Sequence, residues 1–257
     1  MPLSLLVLFG MILGACLGSF CNVLVIRMKE DRSVLGRSAC MKCQKALRAL
    51  DLVPVFSWIA LRGKCYACRT PIHLQYPLVE LAGAAIGLFA VTRHFEAGVF
   101  DVVGALFTAA FLFFLLVIAT FDLRWQLVPT VFVAVGGVIL AVWSLVLGAS
   151  PFSMLLGMGV TGGVLAAIVW GSGGKWMGEG DPFVGAAIGA ALGWPLGPLA
   201  LLSAFMMGGA ISLILLATRL VSRKTPVPFV PFLALGALIV YAWGDVARSF
   251  FLYAFGA

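Results

Sequence analysis

Two pairs of cysteines, Cys40-Met41-Lys42-Cys43 and Cys65-Tyr66-Ala67-Cys68, stand twenty-one residues apart, and two aspartates, Asp122 and Asp181, stand where apolar stretches meet polar ones. A CxxC turn aims two thiolates at one ion, and two such turns supply the four soft ligands of a tetrahedral structural zinc site. Lys42, Lys45 and Lys64 lie close by in the sequence and favour the thiolate forms. Free thiols or two disulfides are the alternatives, and a reducing cytoplasm disfavours disulfides if the segment lies there. Cys16 and Cys21 fall inside the first apolar stretch and read as small core residues.

Taken singly, each aspartate has an ordinary reading. Asp122, in Thr120-Phe121-Asp122-Leu123-Arg124, fits an interfacial carboxylate paired with Arg124, and Asp181, in Gly178-Glu179-Gly180-Asp181-Pro182, fits a helix N-cap followed by proline at the first helical position. A cap leaves the glycines unexplained: Gly171, Gly173 and Gly174 precede Gly178 and Gly180 at this boundary. Glycine lets a backbone pass close to another chain and take positive φ, which suits a segment that opens to an extended peptide. As a pair, the aspartates make a dyad. Like charges resist ionising together, so one carboxylate activates water while the other polarises a scissile carbonyl.

The elements that position these groups must sit in lipid. With 63% hydrophobic and 11% charged residues the chain cannot clothe a soluble domain, and residues 125–174 and 182–218 form uncharged runs of fifty and thirty-seven. Breaks at glycine, proline and charge give eight candidate spans: 3–26, 77–92, 99–121, 127–148, 152–170, 183–196, 198–218 and 228–247. The first has no basic residue ahead of it and reads as a retained helix rather than a cleaved signal. Loops of one parity hold fifteen Lys/Arg, ten of them in 27–76 and the others Arg124, Lys175, Arg219, Arg223 and Lys224, against Arg93 and Arg248 on the opposite side. By the positive-inside rule this puts loop 27–76, Asp122 and segment 171–181 on the cytoplasmic face and both termini outside. The net charge of +7 is thus a topology signal, and no nucleic-acid partner is implied. The fold expected is an all-α polytopic membrane protein: a first helix over 1–26, a four-cysteine zinc-binding loop over 27–76, and a seven-helix membrane domain over 77–257.

An ordered set of motifs resembles the prepilin peptidases, the type IV leader peptidases of the GxGD aspartyl protease group. Gly18-Ser19-Phe20-Cys21-Asn22-Val23 with Arg27 resembles the GSFxNV signature, and the two CxxC pairs follow, with Ser57-Trp58 and Arg62-Gly63-Lys64-Cys65 leading into the second. Tyr76-Pro77-Leu78-Val79-Glu80-Leu81 resembles the start of the family's second helix. Asp122 with Pro129, the Gly178 to Asp181 motif, and Pro228-Phe229-Val230-Pro231-Phe232-Leu233-Ala234 complete the set. The resemblance implies a bacterial inner-membrane endopeptidase in which Asp122 and Asp181, supported by Gly178 and Gly180, cleave the leader of type IV prepilins or type II secretion pseudopilins after a glycine at the cytoplasmic face. It also implies methylation of the new N-terminus with S-adenosylmethionine, for which no residue is assigned. Gly18, Asn22 and Glu80 are candidates for the substrate region. Departures from the pattern are Pro182 and Phe183, where the family usually has Lys at the latter, Thr130 after Pro129, and Val230 for the glycine of PFGPF.

Two other classes compete. A redox protein passing electrons between CxxC pairs and a quinone needs its cysteines on the oxidising side, against the charge distribution. A zinc-ribbon transporter or scaffold uses the aspartates for ions or caps. A RING-type ligase needs twice the zinc ligands available.

Overall fold

The computed structural model describes residues 2–220, 222 and 225–255; Arg223 and Lys224, which entered the loop charge count, lie outside them. The chain divides into two compact units, 1–117 and 118–257. Its helices are α1 (Leu3–Lys29), α2 (Phe56–Ala60), α3 (Gln75–Arg93), α4 (Val102–Trp125), α5 (Thr130–Val146), α6 (Pro151–Ser172), α7 (Asp181–Leu192), α8 (Leu196–Ala217), α9 (Val230–Ala242) and α10 (Gly244–Phe255).

In the first unit α1 packs along α3 with almost no side chain between them. Gly10, Gly14 and Gly18 recur every four residues, so they line one stripe of α1, and Gly83 and Gly87 answer them on α3. A Cβ on Gly14 would collide with the Gly83 carbonyl oxygen, and one on Gly18 would stand 2.6 Å from the Val79 carbonyl oxygen. Close backbone approach of this kind holds helices together in lipid, where apolar side chains gain nothing by leaving one hydrocarbon for another. Asn22, buried in α1, donates to the Tyr76 carbonyl at 3.2 Å and accepts from Gln75 Nε2 at 3.1 Å, fixing the register at one end. An antiparallel pair of short strands, β1 (Phe95–Glu96) and β2 (Val99–Phe100), follows α3.

In the second unit α7 is the centre, packed against α5, α6, α8 and α9. Its residues from Val184 to Leu192 are nearly all buried, the mark of a helix enclosed by protein. Glycine again sets the spacing: Gly189 meets the backbone of Gly157, and Gly185 meets Leu165 and the Thr161 carbonyl.

Each of the eight expected spans contains a helix. Five of these, α1, α3, α4, α6 and α8, are long and apolar enough to cross a membrane, while α5, α7 and α9 are shorter apolar helices. The expected span 228–247 is broken near Trp243, where α9 ends and α10 begins at Gly244. The expected span 99–121 begins later, because Val99 and Phe100 pair with the preceding strand and Asp101 turns the chain by accepting the Gly104 N–H at 3.0 Å.

Candidate active site

Asp122 lies in the last turn of α4 and is buried, with 5% of its surface exposed. Its Oδ2 accepts the backbone N–H of Val230 at 3.1 Å. Val230 is the first residue of α9, so the carboxylate caps a helix that begins more than a hundred residues later in the chain. The Arg124 pairing expected from sequence is not what holds it; the Arg124 guanidinium lies over the Trp125 ring.

Asp181 is the first helical residue of α7, with Gly180 as the N-cap, one position later than the N-cap role read from sequence. It too is buried, at 6% exposed. Its Oδ2 accepts the Gly178 N–H at 3.1 Å while its own N–H donates to the Gly178 carbonyl at 3.1 Å, so the turn closes on itself and aims the carboxyl inward. The motif glycines act differently from one another. A Cβ on Gly180 would collide with the side chain of Val128, so the loop before α5 passes tightly against the turn. Gly178 has room for a Cβ and contributes its N–H. The positive φ expected of this stretch falls earlier, at Gly173 (59°), which ends α6, and at Gly174 (73°).

The two carboxyl groups are close enough for their charges to repel one another. Both carboxylates are buried and each is held by one backbone N–H, an arrangement that a catalytic pair would need. Phe183, the third residue of α7, is 56% exposed and faces away from the packed interior. Val230 needs only its N–H to serve Asp122, and glycine or valine supplies that equally.

The four paired cysteines converge. Their Sγ atoms all lie within 4.8 Å of one another, and Cys40 and Cys68 stand 3.8 Å apart. Four sulfurs at a Zn–S distance of about 2.3 Å in a tetrahedron lie about 3.8 Å apart, so the donor set fits a metal ion with little movement. The two turns are built alike. Gln44 N–H bonds the Cys40 carbonyl and Cys40 N–H the Lys45 carbonyl; Arg69 and Thr70 repeat this pattern at Cys65. Gln44 and Arg69 both take positive φ, at 56° and 58°. The Thr70 backbone N–H lowers the Cys68 thiol to about 6, and the Cys43 backbone N–H lowers that of Cys40. Turn N–H groups therefore favour the thiolate at Cys40 and Cys68, where sequence pointed to the lysines, whereas at Cys43 the Lys45 N–H is outweighed by burial and by the Cys40 and Cys68 sulfurs, which push the thiol up to about 11.

Gly18, Asn22 and Glu80 all work inside the first unit. Gly18 admits the Val79 backbone, Asn22 clamps the start of α3, and Glu80 Oε2 accepts the Val55 N–H at 2.7 Å. Arg27, 7% exposed, donates to the carbonyls of Ser33, Val34, Gly36 and Arg37 and so shapes the exit from α1. The GSFxNV resemblance pointed to Arg27; the carbonyls it gathers carry no signal in sequence.

Residues 12–94 match the bacterial peptidase A24 N-terminal domain, and residues 109–213 match the type IV leader peptidase family. A prepilin leader peptidase/N-methyltransferase of Pseudomonas aeruginosa is 32% identical over 96% of this chain and 94% of that protein. The chain belongs to the type IV leader peptidase family. Proteins of the same description from Stutzerimonas stutzeri and Aeromonas hydrophila are 31% and 30% identical, over 96% and 97% of this chain and 93% of each relative. No solved structure matches it. Family and apolar helices together make it a membrane protein.

Proposed function

We propose that the chain is an aspartyl endopeptidase of the bacterial inner membrane that removes the leader of type IV prepilins or type II secretion pseudopilins, with Asp122 and Asp181 as its catalytic pair and Gly178 and Gly180 shaping the turn that carries Asp181. The carrying observation is that these two aspartates, fifty-nine positions apart, are both buried and within charge range of each other. In the reaction one carboxylate takes a proton from water as its oxygen bonds to the scissile carbonyl carbon. The protonated partner donates to the carbonyl oxygen. Collapse of the tetrahedral intermediate breaks the C–N bond as the amine leaves with a proton from the dyad.

The twelve-residue α7 rises about 18 Å, well short of a hydrocarbon core of about 30 Å. Enclosed by neighbouring helices, it needs no lipid contact at its ends, which supports a dyad recessed from the cytoplasmic boundary. Loop charges support a cytoplasmic site, eight spans and periplasmic termini. The relatives' names support a second activity, methylation of the new N-terminus with S-adenosylmethionine. Cys40, Cys43, Cys65 and Cys68 would hold a structural zinc ion, which ties the 27–76 loop as a separate domain between the first helix and the 77–257 membrane domain.

Cleavage of a prepilin by the purified protein tests the dyad. Asp122→Asn and Asp181→Asn should each lower the rate by roughly a thousandfold, the scale of a lost acid–base group, while the variants melt as the wild type does. Retained cleavage in either variant overturns the assignment. An assay with labelled methyl donor and mature pilin addresses the second activity separately.

A further inference from the structure

Between the two cysteine turns lies a run of apolar side chains that the described residues leave largely exposed. Leu50 and Phe56 are 76% and 73% exposed, Ile59 61%, and Leu52 and Val53 more than a third. Phe56 and Ile59 are three apart on α2 and share a face. We propose that this segment, 50–59, docks into the membrane surface and holds the cysteine loop flat against the bilayer.

Depth is set by Glu80. α3 is nineteen residues long and rises about 28 Å, barely the thickness of a hydrocarbon core, so nearly its whole length is needed to cross. Glu80 stands five residues, about 7–8 Å, along that helix from Gln75, which puts it at or inside the hydrocarbon boundary. Its carboxylate reaches the Val55 N–H at 2.7 Å, which brings Val55 to the same level. Val55 has φ +64° as the N-cap of α2, a strained position for a β-branched residue, and the bond to Glu80 holds it there. The exposed residues on either side of Val55 thus lie where headgroups meet acyl chains, and burying them there removes apolar surface from water.

Charge fits an anionic surface. Asp51 is the only acidic residue in 48–64, and Arg48 occupies both of its oxygens. Arg62 and Lys64, just beyond α2, are exposed and in no ion pair among the described residues. They would face lipid phosphates at the leaflet boundary. The alternative occupant, a pilin helix, would require the same face to be free of lipid at a depth where lipid surrounds the span.

The test uses the full chain with the photoreactive residue p-benzoylphenylalanine at position 56, in vesicles of phosphatidylethanolamine and phosphatidylglycerol, irradiated with a prepilin present. Mass spectrometry should find a phospholipid adduct as the main product. Adding Leu52→Asp and Ile59→Asp, both at exposed sites, should lower its yield at least about tenfold, as charge at the interface opposes insertion, with metal content unchanged. A prepilin adduct as the main product, the absence of a lipid adduct, or a lipid adduct that ignores the two aspartates overturns the proposal. Each result reads lipid contact directly and holds whatever the peptidase assay shows.

Discussion

Asp122 and Asp181 each spend one oxygen, Oδ2, on a single backbone N–H, and among the described residues Oδ1 of each has no protein partner. That leaves one oxygen per carboxyl available, as the proposed dyad would need. Sequence named both residues but gave neither its holder. The Val230 N–H could not be read because a backbone donor carries no residue-type signal and its partner is remote in the chain. The motif glycines give a sharper test. Gly180→Ala would drive a Cβ into Val128 and displace the turn that aims Asp181, so cleavage should fall at least about tenfold, as one angstrom of misplacement at a catalytic group can do. Val128→Gly in the same chain removes the clash and should restore most of the loss. Gly178→Ala, with space at its Cβ, should be the milder single change.

The helices were legible at the scale of elements because apolar length and glycine, proline and charge breaks are local signals. The break between α9 and α10 was not, since Trp243-Gly244 interrupts no apolar pattern strongly enough to divide a span on paper. Nor was the β1–β2 pair, formed by two residues on each side and governed by the turn at Ala97 and Gly98, both of positive φ. The α1–α3 interface makes a prediction of its own. Gly14→Leu places a side chain where the Gly83 backbone already stands, and no rotamer relieves a clash that begins at Cβ. Overpacking of this kind costs about 1–3 kcal/mol or more, so the purified protein should melt several degrees lower in mild detergent. Gly159→Leu on α6, where nothing lies within 4 Å of a Cβ, is the matched control and should leave the melting temperature unchanged.

Across the whole molecule, metal binding and topology are the properties that no single element decides. The cysteine cluster should carry about one zinc per chain, lost with Cys40→Ser, and protease should then cut within 27–76 while the membrane helices stay intact. The ligand form is the thiolate, so protons compete with the metal. Cys68, with its thiol lowered to about 6, keeps its ligand form down to near that pH, while Cys43, pushed up to about 11, must release a proton to bind, so zinc retention should decline with acidification rather than with alkali. Metal analysis after dialysis across that range checks the direction.

Topology follows from charge and length together. Eight crossings require α5, α7 and α9 to span with seventeen, twelve and thirteen residues, rises of about 26, 18 and 20 Å. Helices that short cross only where protein surrounds them or the bilayer thins, and α7 has such an enclosure, with α5, α6, α8 and α9 packed around it. If α7 instead entered and left on one side, the parity of every later loop would reverse, bringing Arg219 outside with its neighbours. An epitope inserted at Ala149, between α5 and α6, should be reached from the periplasm in intact spheroplasts. One inserted at Ser222, between α8 and α9, should be reached only after the membrane is opened. Labelling of both from outside would mean that the enclosed helix does not cross, and the dyad would then have to be approached from a re-entrant segment.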